Sequence, residues 1–301
     1  MFRWQAVFLV LVGAASYGFL AAVTKIGYRS GFHLGELIGS QMFVGVIVLW
    51  LLALWRNKGK LPFTLPEASK LIAVGTLSGM TGILYYVSIR TIPASLAIVL
   101  LFQFVWVGVW YEWIFERKKP SLETLMSVGV SLFGGFLASG VVHDGWTQIS
   151  LVGVLAGLVA AFSYAGTLYA SGKAVVHMNP WFRSSLMGTG AMLLVWGVFP
   201  PYYLVTGLWW NVHIWIPIAL GIMGLILPML CFVFGAPKIG TQMTTLLCSV
   251  ELPIAIFMAR FVFMEAIGGL QWLGVCLIVA GLIMKFMFSS RTWKVRALPQ
   301  R

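Results

Sequence analysis

The chain has 301 residues, of which 60 % are hydrophobic and 9 % charged, with a formal net charge of +12 at pH 7. Ordinary soluble domains carry about 25 % charged residues, so this composition excludes a water-soluble globule. The apolar residues form runs of roughly 20, the length that crosses about 30 Å of hydrocarbon at 1.5 Å per residue, so length counts crossings here rather than domains.

In chain order the runs predict helical spans over 5–27, 35–55, 70–89, 93–115, 122–140, 149–171, 181–204, 213–234, 240–260 and 268–288. The fold class is therefore an all-α membrane protein with ten transmembrane helices. Met1-Phe2-Arg3 before the first run, with Gly13-Ala14-Ala15-Ser16 inside it, imitates a signal peptide. An internal repeat needs this run as a span, so it is read as retained.

The connections alternate in charge. Arg56, Lys58, Lys60 and Lys70 follow the second span; Arg117, Lys118 and Lys119 follow the fourth; Lys173 and Lys238 follow the sixth and eighth. With Arg3 and the tail residues Arg291, Lys294, Arg296 and Arg301, these segments hold fourteen basic residues, against Lys25, Arg29, Arg90 and Arg260 on the other side. The positive-inside rule then places both termini in the cytoplasm of a multi-pass protein of the plasma or inner membrane. The positive charge is a topology signal and implies no nucleic-acid partner.

Two halves share a period. Ser16-Tyr17-Gly18 has its counterpart in Ser163-Tyr164-Ala165 at 147 residues; Ser40, Met42 and Gly45 match Ser185, Met187 and Gly190 at 145; Leu100-Leu101 matches Leu246-Leu247 at 146; Gly129-Val130 matches Gly274-Val275 at 145. The halves run 1–145 and 146–290, followed by a basic tail at 291–301. Five crossings is an odd number, so the second half enters from the opposite side, and two inverted five-helix repeats are the usual basis of alternating access.

Gly240, Leu246-Leu247, Glu251-Leu252-Pro253, Glu265, Gly274 and Gly281 in the second half, with Ala94, Leu100-Leu101, Glu116, Gly129 and Gly135 in the first, resemble the EamA group of the drug/metabolite transporter superfamily. The resemblance covers nearly the whole chain. It departs where offset 146 brings Val105 and Val107 opposite Glu251 and Pro253, and where Glu116 stands thirteen residues before Gly129 while Glu265 stands nine before Gly274. The resemblance implies a central cavity lined by the first, third, fourth, sixth, eighth and ninth helices. It also implies packing or homodimer contacts through the fifth and tenth, and outward movement of a small organic solute such as an amino acid or related zwitterion.

Glu251 is the foremost candidate. A carboxylate inside an apolar helix must face protein or water, where it can bind a cationic group or exchange a proton; stabilising the bend at Pro253 is the structural alternative. Tyr17 and Tyr164 occupy related places and can clamp a solute, or pack between helices. Only one of the adjacent Tyr85 and Tyr86 can face a cavity. Gln103 and Trp106 share a face at spacing three, as do Gln242, Thr245 and Ser249 at spacings of three and four. Tyr17, Gln103, Trp106, Tyr164, Gln242, Thr245, Ser249 and Glu251 form the candidate substrate site, with ordinary interhelical contact as the competing role.

Lys25 and Glu36 are candidate outer-gate residues, with Glu251 and Pro253 as coupling elements. Arg183 lies near a boundary where it can snorkel. Glu112 lies on the cytoplasmic side of the fourth span, where residues 117–119 can neutralise it. Cys231, Cys248 and Cys276 stand alone in apolar runs, and His33, His143, His177 and His213 have no ligand spacing. No nucleotide fingerprint or catalytic constellation is present, so no cofactor, metal or enzymatic activity is expected. The leading function is a secondary transporter or facilitator in which proton coupling through Glu251 stays open. A receptor or assembly protein without transport is the alternative.

Overall fold

The computed structural model describes residues 3–92, 94–140, 150–204, 213–264 and 266–296. His143, Glu265, Arg301 and much of the connections 139–148 and 200–212 lie outside the described residues. Among the described residues every regular element is helical. The first half holds α1 (Arg3–Arg29), α2 (Leu34–Arg56), α3 (Leu65–Thr91), α4 (Ala94–Leu101), α5 (Phe104–Glu116) and α6 (Leu122–Ala138). The second holds α7 (Leu151–Lys173), α8 (Pro180–Val198), α9 (Trp215–Gly221), α10 (Leu227–Ile239), α11 (Thr241–Cys248), α12 (Glu251–Val262) and α13 (Gly269–Arg296).

Among the described residues, seven stretches are long and apolar enough to cross a membrane: α1, α2, α3, α7, and the composite stretches Leu96–Glu116, Trp215–Ile239 and Thr241–Val262. Leu122–Ala138 and Gly269–Lys285 are shorter apolar helices. Large side chains such as Phe8, Leu51, Trp55, Leu122, Leu151 and Phe261 stand exposed, an outer surface suited to lipid rather than water. Helix starts follow local chemistry: the Glu67 carboxylate accepts the Thr64 N–H at 2.9 Å, and Asn179 caps α8 through the Trp181 N–H at 3.1 Å, ahead of Pro180.

The runs 93–115 and 240–260, expected as continuous helices, are each broken in two. At the first break the Gln103 N–H bonds Leu100 O at 3.2 Å; at the second the Ser249 N–H bonds Leu246 O at 3.1 Å. These are three-residue bonds in place of four-residue ones, 146 positions apart. Pro253 explains the second, because it offers no N–H to the Ser249 carbonyl and its ring crowds that group. The first has no proline; there Gln103 Nε2 donates to its own helix at Val99 O, 3.0 Å away.

The expected span 213–234 contains another irregularity. Pro228 follows a wide turn over Ile222–Ile226, in which the Leu227 N–H bonds Ile222 O five residues back, widening the coil where a proline ring must fit.

Arg183 does not snorkel. It is 1 % exposed, and its guanidinium donates to Ser171 O at 2.8 Å, Ala174 O at 3.0 Å and Val233 O at 3.3 Å. The first two carbonyls close the end of α7; the third is the one Pro237 leaves without a helical donor. One side chain therefore satisfies carbonyls in two other stretches and locks α7, α8 and α10 together. Of the three cysteines in apolar runs, Cys231 and Cys248 are buried, whereas Cys276 is exposed on α13.

The halves exchange partners. The third stretch of the first half, α3, packs on α7 and α8; its counterpart, α9 to α10, packs on α1 and α2. Likewise α4 and α5 lie on α7, while α11 and α12 lie on α1; α2 meets α8, α5 meets α11, and α6 meets α13. At the α3–α8 crossing Gly75 and Gly190 bring backbones together, since a Cβ on either would overlap the Met187 or Ile72 carbonyl.

Candidate functional site

Glu251 opens α12 immediately after the second break. Tyr164 Oη on α7 donates to its Oε2 at 3.3 Å. The Tyr164 ring stands edge-on to Tyr17 of α1, with centroids 5.9 Å apart, and lies 4.6 Å from Phe104 at the start of α5. Tyr17 in turn lies 6.1 Å from Phe232 of α10. Tyr85 of α3 and Cys248 at the end of α11 are within electrostatic reach of the carboxylate. Gly18 permits this convergence, because a Cβ there would come within 2.6 Å of Ile254 Cβ and 2.9 Å of the Glu251 carbonyl. The result is a carboxylate bonded to the Tyr164 phenol, whose ring belongs to an aromatic cluster drawn from both halves.

The eight candidate substrate residues divide in space. Tyr17, Tyr164 and Glu251 come together, with Ser249 and Pro253 framing the break beside them. Ser249 Oγ turns back to Leu246 O at 2.6 Å. Gln103 and Trp106 share a face and bond each other, Nε1 to Oε1, at 2.9 Å. The Gln103 amide is thus engaged through both its oxygen and its nitrogen within its own stretch, and Trp106 packs against Phe162 at 5.9 Å. Gln242 lies nine residues before Glu251, about 13 Å along a helix. Thr245, fully buried, bonds back to Thr241 O at 3.1 Å and packs into the space left by Gly108. These two line the α5–α11 crossing.

The gate candidates are engaged separately. Glu36 accepts the His33 N–H at 2.8 Å and caps α2, while Lys25 Nζ stands 4.6 Å from the Phe263 ring, beside Arg29 at 5.0 Å. The adjacent tyrosines differ in partners: Tyr86 hydrogen-bonds Tyr28 and Thr24, while Tyr85 is within electrostatic reach of Glu251.

At the end of the bundle bearing the basic connections, a polar chain crosses between the halves. Glu112, 8 % exposed, accepts the Gln242 N–H at 2.8 Å and so caps α11, with Lys118 3.7 Å away. Lys118 and Lys173 bracket Glu116 at 2.6 and 2.9 Å, and the Glu116 hydrogen bond raises the Lys118 pKa. Gln242 Oε1 accepts from Thr124 at 3.5 Å, and Lys285 of α13 reaches the same hydroxyl. Sequence placed Lys118 near Glu112 by adjacency; the cap on a helix 130 residues away carried no local signal. Phe104 and Phe232 were likewise missed, because an aromatic in an apolar run is indistinguishable from core.

Among the described residues no cluster of His, Cys, Asp or Glu could hold a metal ion.

Comparison with known proteins accords with this architecture. An uncharacterized transporter of Synechocystis is 23 % identical over 308 residues, covering 90 % of this chain and 89 % of its own length. An uncharacterized transporter of Archaeoglobus fulgidus is 24 % identical over 231 residues, covering 74 % of this chain and 80 % of its own. A solved crystal structure shares the fold, with a TM-score of 0.78 at 17 % identity over 97 % of this chain and 99 % of that one. The sequence model of the EamA-like transporter family matches twice, at residues 4–140 and 151–287. The chain therefore belongs to the EamA-like transporter family and is a multi-pass membrane transporter.

Proposed function

We propose that this transporter exports a small organic metabolite carrying an amino group, a class that includes amino acids and related zwitterions, by alternating access. In this reading the chain makes ten crossings in two inverted halves, with both termini in the cytoplasm of the plasma or inner membrane. The supporting observation is the Glu251 cluster. Tyr17, Phe104 and Tyr85 come from the first half, while Tyr164, Phe232 and Glu251 come from the second. A solute held there is held between two bodies whose packing partners are exchanged. Rocking one body against the other exposes the same carboxylate to each side in turn. The carboxylate takes the solute's amino group or a proton, and exchanging one for the other couples export to the proton gradient.

The decisive experiment is flux in sealed vesicles containing purified protein, with a mixed amine and amino-acid panel under imposed proton and voltage gradients. The expected result is saturable flux of at least one solute that responds to the proton gradient. Absence of flux for every compound overturns the reading. Cysteine accessibility at the ends of α1 and α7 tests the inversion: both on one face defeats it.

A further inference from the structure

The half-helices α5 and α11 both run from a break to the face of the bundle that bears Lys118, Lys173 and Lys238. There α5 packs on α7 and α11 on α1, so the two belong to different packing groups, and their mutual crossing joins those groups. The crossing is close, since a Cβ at Gly108 would overlap Thr245. One helical turn further along α5, Glu112 reaches across it. Its Oε2 accepts the Gln242 N–H at 2.8 Å, where the positive end of the α11 peptide dipoles favours a carboxylate. The turn ahead of α11 is shaped for this contact. Gly240 holds φ 81° and ψ 164°, a conformation essentially restricted to glycine, and a Cβ there would stand 3.6 Å from Glu112 Oε1. Lys118, 3.7 Å from Glu112, also binds Glu116 at 2.6 Å, and Lys173 of α7 holds Glu116 at 2.9 Å. At the opposite end, the bonds described between α1 and α3 join neutral hydroxyls, Tyr86 with Tyr28 and Thr24. A charge-assisted bond is roughly twice as strong as a neutral one, so the two ends are closed unequally.

We infer that Glu112 is the latch of the closure on the basic face: seated on the first turn of α11, its carboxylate holds the α5 and α11 half-helices together, and its withdrawal opens the bundle toward that face. This deepens the proposed alternating access and rests on it. Glu112 is a positioning residue, acting on the balance of states rather than on the solute. With the cap made, the empty protein rests shut on the basic face. Breaking the cap shifts that balance by the strength of the bond lost.

Cys248 reports the state of the latch. It ends α11, fully buried, about 10 Å along the helix from the capped turn, so a reagent arriving from the basic face must pass between α5 and α11. Membrane vesicles of each sidedness, carrying the full chain, are treated with sulfonatoethyl and with trimethylammonioethyl methanethiosulfonate, neither of which crosses the bilayer. Running both cancels the effect of reagent charge, and peptide mapping scores Cys248 apart from Cys231 and Cys276. Glu112→Ala is expected to raise Cys248 labelling from the basic face about tenfold with both reagents, without raising it from the opposite face. Glu112→Gln keeps an acceptor for the Gln242 N–H but no charge, and a rise of about threefold is expected. Unchanged labelling in both variants overturns the inference, because the cap then does not hold the closure. A rise that is equal from both faces, or confined to the opposite one, overturns it too, since the variant has then loosened the bundle as a whole or opened the wrong end. If Glu112→Ala fails to fold, Glu112→Gln decides by the same criterion. Unmoved labelling in variants that still carry solute sinks the latch alone. Absence of all flux, with Cys248 closed to both faces in every variant, sinks the transport reading as well.

Discussion

The two helix breaks share a backbone and differ in chemistry. Both replace four-residue bonds by three-residue ones, at Gln103 to Leu100 and Ser249 to Leu246. Both place the start of a new helix against Tyr164, through Phe104 in one half and Glu251 in the other. The first, however, is self-contained: Gln103 occupies its own carbonyl and the neighbouring indole, and Val105 and Val107 follow, fully buried. The second puts Glu251 and Pro253 at those positions. Duplication preserved a hinge geometry twice, and the charged chemistry occupies one copy. In the proposed function the first break serves as scaffold and the second meets the solute.

Placing a carboxylate at the first break is the harshest challenge to that division. Val105→Glu puts a charge among apolar side chains with no phenol shown to receive it. We expect a loss of about 3–5 kcal/mol, seen as a large fall in thermal midpoint in detergent or failure to elute as a single species. A stable, active Val105→Glu would mean that the two breaks are chemically interchangeable.

Removing charge at the second break strikes function rather than folding. In Glu251→Gln, flux of the transported solute is expected to fall by a factor of about ten or more, roughly the loss of one charge-assisted contact at about 1.4 kcal/mol per tenfold. The thermal midpoint should change little. Retained flux with an unchanged response to the proton gradient would remove Glu251 from both binding and coupling.

Pro253→Ala sharpens the comparison by giving the second break the donor that the first retains at Val107. The restored N–H to the Ser249 carbonyl should stabilise the protein by about 1 kcal/mol, raising the midpoint by a few degrees, while flux slows severalfold as the hinge stiffens. Faster flux in the straightened helix would show that the bend is not used in the cycle.

Gln103→Leu is expected to have the smallest effect. It strands the Val99 carbonyl and the Trp106 N–H at about 1 kcal/mol in total, with flux within about twofold of wild type. A collapse of flux equal to that of Glu251→Gln would place Gln103 on the solute and make the first break part of the site.

Much of the architecture is legible in the chain because each helix must satisfy its own backbone in lipid. Apolar runs therefore locate helices to within a few residues at most ends, as at Leu34–Arg56 and Leu151–Lys173. Glu251 is legible for the same reason, since a charge inside such a run demands an explanation. The repeated Ser-Tyr pairs also led to Tyr17 and Tyr164, which do meet, at 5.9 Å.

Other features depend on partners far away in sequence. Pro253 marks its own break by a missing N–H, yet nothing local marks Gln103, whose side chain supplies the competing bond. Gln242 and Thr245 share a helix face with Ser249 and still belong to a different place, because Glu112 and Gly108 hold that end of α11. Arg183 reads as a boundary residue until the carbonyl freed by Pro237 comes into contact with it. The need to hide backbone from hydrocarbon, a local constraint, is thus written in composition. Which carbonyl receives which distant donor, and which carboxylate goes without a cation, is decided only when the two halves exchange their helices.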